Sequence, residues 1–163
     1  MSKISVLMSV YKKENPEYLR ASLESILVQT RTADEILLIE DGPLTQELYQ
    51  VVAEYQKKCD YLHVHAMEQN VQLGRALAKG VELCQYDLIA RMDTDDIAMP
   101  DRLEKEEAYM EAHPEVDVVG GAIREFNDEG TIDRVKNMPK TQEEILELSL
   151  IHISEPTRHA QIS

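Results

Sequence analysis

The feature that most constrains the fold is an alternation. Short, nearly continuous apolar runs of strand length take turns with longer segments whose apolar residues recur every three or four positions. Ile4-Ser5-Val6-Leu7-Met8-Ser9-Val10 is the first run. Apolar residues at both odd and even positions suit a strand covered on both faces. Lys12-Lys13-Glu14 breaks it, and Asn15-Pro16 then starts a helix, with Asn as N-cap and Pro at the first helical position. Leu19, Leu23, Ile26 and Leu27 follow at helical spacing. Ile36–Ile39 reads as a second buried strand, stopped by Glu40-Asp41-Gly42-Pro43. Leu48, Val51, Val52 and Tyr55 mark a second helix, and Tyr61–His65 a third strand. After the loop Asn70–Gly74, Ala76, Leu77, Val81 and Cys84 mark a third helix. Leu88-Ile89-Ala90 opens a fourth strand that runs into Arg91-Met92-Asp93-Thr94-Asp95-Asp96. Pro100-Asp101-Arg102-Leu103 starts a fourth helix, which ends before His113-Pro114, and Val116–Val119 reads as a fifth strand closed by Gly120-Gly121. Strand and helix in strict turn predict an α/β domain with a mostly parallel sheet and helices on both faces.

Size and charge narrow the function. A chain of 163 residues holds one domain with a core of its own. Its 31 acidic residues outnumber its 17 Lys and Arg, for a formal net charge of -14. Such a surface argues against non-specific binding to nucleic acid or anionic lipid, and implies that a phosphorylated ligand would be held through a divalent cation. Cys59 and Cys84 fit no metal or redox spacing and suggest a reducing compartment. No apolar run approaches the roughly 20 residues that cross a bilayer. Met1-Ser2-Lys3-Ile4 leads into a strand and does not read as a signal peptide.

In parallel sheets of this kind ligands bind beyond the carboxyl ends of the strands. Three strand ends carry polar residues that the topology gathers on one rim: Ser9-Val10-Tyr11, Glu40-Asp41-Gly42 and Asp93–Asp96. The last is the sharpest signal. Three carboxylates in four residues repel one another, and a hard divalent ion such as Mg²⁺ or Mn²⁺ would remove that repulsion. A helix-capping loop would also use such residues. Asp41 reads either as a turn residue or as a carboxylate that accepts hydrogen bonds from a base or ribose. Gly74-Arg75 reads either as an anion site at a helix start or as an ordinary amphipathic helix surface, and Lys79 is weaker still. Asp101 reads as a cap or a partner of Arg102. His63, His65 and His113 form no ligand triplet, and Ser9 and Ser25 lack a nucleophile-elbow pattern. Neither a Walker loop nor Gly-x-Gly-x-x-Gly is present.

Together ISVLMSVYKKENPEYLRASLESILVQT, EILLIEDGP and NVQLGRALAKGVELCQYDLIARMDTDDIAMPDRLEKE resemble family 2 glycosyltransferases of the GT-A, Rossmann-like fold. Within that family the chain is most similar to bacterial exopolysaccharide enzymes of the amylovoran type, over about Lys3 to Lys140. The resemblance implies that Ser9, Val10, Tyr11 and Glu14 line a nucleotide pocket and that Asp41 binds the base, usually uracil. Gly74 and Arg75 would lie against the nucleotide and its phosphates. Asp93-Thr94-Asp95 would be the DxD motif, with Asp93 at the ribose or the metal, Thr94 in the nucleotide-sugar pocket and Asp95 on the metal directly, while Asp96 matches an extra acid of the subgroup. The implied chemistry is inverting transfer of a sugar from a nucleotide-sugar, UDP-linked, to a polysaccharide or lipid-linked acceptor at the cytoplasmic face of the membrane. Two other readings compete. One is a non-catalytic nucleotide-binding domain. The other is a sugar-nucleotide pyrophosphorylase, whose Gly-rich basic N-terminal loop Val10-Tyr11-Lys12 does not replace.

The C-terminus stands apart. From Leu148 the chain reads LSLIHISEPTRHAQIS, with no periodicity and no continuation of the helix that Thr141–Leu146 starts. Leu148–Arg158 resembles, codon by codon, the translation of a transposon-based sequencing-library adapter. Residues 1–147 are therefore expected to be the nucleotide-sugar-binding part of a longer domain, and 148–163 a non-native tail. On this expectation the general base lies beyond the truncation, and the fragment holds the donor half of a site and is inactive or nearly so.

Overall fold

The computed structural model describes residues 2–126, 133–136, 141 and 144. Contacts divide the chain into one unit that ends at Ala108 and a second that begins at Tyr109. The first unit contains β1 (Ile4–Val10), α1 (Pro16–Leu27), β2 (Glu35–Glu40), α2 (Gln46–Lys58), β3 (Leu62–Ala66), α3 (Leu73–Leu83), β4 (Leu88–Asp93) and the start of α4 (Arg102–Ala112). The expected alternation is present, with strand edges displaced by a residue or so.

The four strands form one parallel sheet in the order β3-β2-β1-β4. Side chains alternate between its faces. From β1 and β2, Ile4, Val6, Met8, Val10, Ile36 and Leu38 join α1 and α2 residues such as Leu19, Leu23, Leu48 and Tyr55 in the larger core. Leu7, Leu37 and Ile39 turn to the other face and meet Ala76 of α3. Helices therefore cover both faces, which explains why β1 and β2 read as unbroken apolar runs. α3 presses close at Gly80, where an added methyl would overlap the Leu7 side chain.

Local chemistry sets the helix ends. The Asn15 side chain accepts from the Glu17 N–H at 2.9 Å, with Pro16 in the first turn. The Thr45 hydroxyl accepts from the Leu48 N–H and starts α2. α3 has no side-chain cap among the described residues, and Gln72 before it holds φ 73°.

In the second unit β5 (Ile123–Phe126) pairs antiparallel with β6 (Asp133–Lys136), and Arg134 lies opposite Glu125 in an ion pair. The expected strand at Val116–Val119 is absent. A valine-rich tetrapeptide becomes a strand only where a neighbouring strand takes up its backbone groups, and no described strand pairs with it. Thr141 and Glu144 exchange backbone-to-side-chain hydrogen bonds as a capping box, in line with a helix start there. The proposed tail, 148–163, lies outside the described residues.

Candidate functional site

The order β3-β2-β1-β4 reverses direction between β1 and β4, because β2 and β3 extend to one side of β1 and β4 returns to the other. A crevice opens at such a point beyond the strands' carboxyl ends. Register puts Ser9 level with Asp93 on one side and with Ile39 on the other. The sheet thus brings Ser9-Val10-Tyr11, Asp41 and Asp93–Asp96 to one rim, as the sequence leads one to expect.

Asp41 is buried and framed. Its backbone N–H donates to the Val10 carbonyl at 2.8 Å. Its carboxylate accepts from the Val71 N–H at 2.6 Å and from Asn70 Nδ2 at 2.9 Å. Asp41 therefore anchors the loop before α3, and each of its oxygens keeps a further lone pair for a ligand. Glu40, next to it, is also buried, and burial pushes its carboxyl above the usual range. No hydrogen bond reaches the Glu40 side chain among the described residues. The sequence offered one signal for Glu40, an acid at the last position of a buried strand, which reads more simply as the strand's stop.

Thr94 is buried and joins two of the three strand ends. Its hydroxyl lies 2.6 Å from Glu14 Oε2 and 3.3 Å from the Ser9 carbonyl. A hydroxyl has one proton to donate, and the shorter, charge-assisted contact to Glu14 takes it. Glu14 also accepts from the Asn15 N–H at 2.8 Å. Two expected pocket residues, Glu14 and Thr94, thus hold each other. Tyr11 is exposed on the same loop.

The acidic run is unevenly shielded. Asp93 Oδ1 accepts from an Arg91 terminal nitrogen at 2.6 Å. Asp95 is exposed. Asp96 has its carboxyl pushed up to about 6, first by burial and then by the charges of Asp95 and Asp93, which outweigh Arg102 and Arg91. Among the described residues no group of three His, Cys, Asp or Glu could by itself hold a metal ion. The oxygen donors and their mutual repulsion would suit a hard divalent ion.

The remaining expected residues take no part in these bonds, although α3 begins just past the loop that Asp41 holds. Gly74 and Arg75 are exposed in the first turn of α3, with open space where a Gly74 side chain would stand. Asp101 does not pair with Arg102. It pairs with Lys105 one turn on, at 2.5 Å, while Arg102 bonds Glu106 at 3.1 Å and the Arg91 carbonyl at 2.9 Å. Helical spacing explains this: i and i+4 face each other, whereas adjacent residues diverge.

The family model for glycosyl transferase family 2 matches residues 5–161. An uncharacterized glycosyltransferase of Haemophilus influenzae is 47% identical over 90% of this chain and 55% of its own length. The amylovoran biosynthesis glycosyltransferase AmsE of Erwinia amylovora is 45% identical over 86% of this chain and 52% of its own. The UDP-Gal:alpha-D-GlcNAc-diphosphoundecaprenol beta-1,3-galactosyltransferase of Escherichia coli is 35% identical over 82% and 50%. The chain therefore spans about half the length of these relatives. Among solved structures, S. aureus TarS 1–349 in complex with UDP-GlcNAc superposes with TM-score 0.68 at 22% identity, over 85% of this chain and 37% of that one. The mannosyltransferase PcManGT of Pyrobaculum calidifontis, in complex with GDP-Man and Mn²⁺, gives 0.63 at 14%, over 76% and 36%. With a family model spanning nearly the whole chain and two relatives above 40% identity, the chain belongs to glycosyltransferase family 2.

Proposed function

We propose that this chain carries the donor-binding part of an inverting glycosyltransferase that takes its sugar from a UDP-linked donor. The observation that carries the reading is the meeting of Ser9-Val10-Tyr11, Asp41 and Asp93–Asp95 at one switch point of the sheet. The buried, oriented carboxylate of Asp41 accepts from the N–H of the base. Ser9, Val10 and Tyr11 form the crevice wall, and Arg75 with the uncapped start of α3 faces the phosphates. Asp95, exposed and beside Asp93, supplies oxygen donors for Mg²⁺ or Mn²⁺. Such an ion, when bound, offsets the charge that builds on the departing diphosphate. The TarS complex with UDP-GlcNAc and the PcManGT complex with Mn²⁺ support the donor class and the cation. AmsE and the diphosphoundecaprenol galactosyltransferase support a polysaccharide or lipid-linked acceptor, met by the whole protein at the membrane's inner face. No helix among the described residues is long and apolar enough to cross a membrane.

Calorimetric titration with UDP, in Mn²⁺ and in EDTA, tests this reading. The expected result is binding that Mn²⁺ strengthens about tenfold or more, a gain that Asp95→Ala removes because it deletes an ionised metal contact. Binding indifferent to both the metal and the substitution would instead support a non-catalytic nucleotide-binding domain.

A further inference from the structure

A column of three polar side chains runs along one face of α1 and just past its end, at Ser22, Ser25 and Gln29. All three are buried. Their partners outside α1 lie some seventy positions later, between the last residue of β4 and the first turn of α4. The Ser22 hydroxyl donates to the Asp93 carbonyl at 3.0 Å. The Ala98 N–H donates to Ser25 Oγ at 3.0 Å, and that hydroxyl donates in turn to the Ser22 carbonyl at 2.7 Å. Gln29 Nε2 donates to the Met99 carbonyl at 2.7 Å and the Ser25 carbonyl at 3.0 Å, while its Oε1 accepts from the Leu103 N–H at 3.1 Å. The Thr30 N–H adds a bond to the Pro100 carbonyl at 2.8 Å.

This segment closes two turns on itself, the Asp96 N–H donating to the Asp93 carbonyl at 3.3 Å and the Arg102 N–H to the Met99 carbonyl at 3.0 Å, and α1 supplies the further partners. The anchors fall at Asp93 on one side of the acidic run and at Ala98, Met99, Pro100 and Leu103 on the other. Between them Asp95 and Ile97 are exposed. The loop is therefore pinned at both ends, with the exposed Asp95 between the anchors.

We propose that Ser22, Ser25 and Gln29 are positioning residues that hold Asp93 and Asp95 ready for the cation and diphosphate of the donor, an inference that rests on the donor-site reading above. None of the three touches the ligand. They act by removing the need to order the loop when ligand arrives, which would otherwise weaken binding.

The test combines amide exchange with titration. Ser25→Ala and Gln29→Leu should speed exchange at the Ala98 and Leu103 amides in the free protein. Both should weaken UDP binding in Mn²⁺ about tenfold, the scale of one buried hydrogen bond, and change binding in EDTA by less than about twofold. Tyr55→Phe serves as a control for stability alone. It removes bonds to the Arg20 carbonyl and Glu24 on the side of α1 that faces α2. It should leave the Mn²⁺-dependent part of binding intact. Ser22→Ala removes a single bond and keeps the test decisive if the larger changes prevent folding. Ser22→Thr, which retains the hydroxyl, should bind as wild type does. If wild type gains affinity from Mn²⁺ and the variants gain as much, the positioning role is wrong and the donor site stands. If wild type gains nothing from Mn²⁺, the donor-site reading fails and this inference with it.

Discussion

Gly42 holds φ +83°, a left-handed conformation that favours glycine. A Cβ there would sit 2.6 Å from the Asn70 backbone nitrogen and 3.0 Å from the Gln69 carbonyl carbon. Both neighbours are backbone, so no side chain can swing aside. The same loop donates the Val71 N–H to Asp41, so the strain would reach the residue assigned to the base. Gly42→Ala should cost about 1–2 kcal/mol from the left-handed backbone alone, and more from the overlap. Urea denaturation should show that loss, and UDP affinity should fall with it. A variant as stable and as tight-binding as wild type would mean that the Asp41 loop is not rigid. At this scale the sequence was partly legible. Asp-Gly-Pro after an apolar run marks a turn that must end β2, and a parallel sheet puts that turn on the ligand rim. Asn70 and Val71 carried no such signal, because their pairing with Asp41 depends on where β3 ends and α3 begins. Glu14 and Thr94 were named as pocket residues, but their bond to each other joins sequence positions that only the β1–β4 register brings close.

Between elements, the polar ties are what periodicity hides. The apolar period of α1 showed Leu19, Leu23 and Ile26 facing the core, and they do. Ser22, Ser25 and Gln29 share that buried side, yet a hydropathy pattern counts them as breaks. The expected strand at Val116–Val119 failed for the converse reason: apolar residues were present, but no strand was there to receive them. A second polar tie joins the end of α1 to the starts of β1 and β2. The Asp34 carboxylate accepts from the Ile4 N–H at 3.0 Å and pairs with Arg31 at 2.7 Å. Burial would raise its pKa, but these bonds outweigh burial and hold it below the usual carboxylate value. A carboxylate lowered on folding stabilises the native state above its unfolded pKa of about 3.9, and that stability disappears as pH falls through the folded value. Asp34→Asn should therefore cost about 1 kcal/mol at neutral pH. The difference from wild type should shrink in acid below about pH 4, where the wild-type carboxyl becomes neutral too. Denaturation curves at both pH values check this, and a gap that stays constant would assign the cost to packing instead of charge.

For the whole chain, the sheet was legible because β1 and β2 are covered on both faces, which leaves little but apolar residues to use. The meeting of the three polar strand ends on one rim followed from topology. The tail is the part where sequence and comparison meet without agreement on paper. The family match runs to residue 161, whereas the residues from Leu148 resemble adapter-encoded peptide. The two make different physical demands. A native segment would bury apolar residues such as Leu148, Leu150 and Ile151 against the domain, and removing it would expose the surface they covered. At roughly 25 cal/mol per Å² of apolar area, even one such side chain is worth about 1.5–3 kcal/mol. An appended peptide makes no such contribution. Its only charged side chains, Glu155 and Arg158, also cancel, so its loss leaves the net charge at -14. We expect a chain ending at Glu147 to match the full chain in denaturation midpoint, in UDP affinity and in the effect of Mn²⁺. A drop of more than about 1.5 kcal/mol on deletion would mark the segment as part of the native core and end the adapter reading.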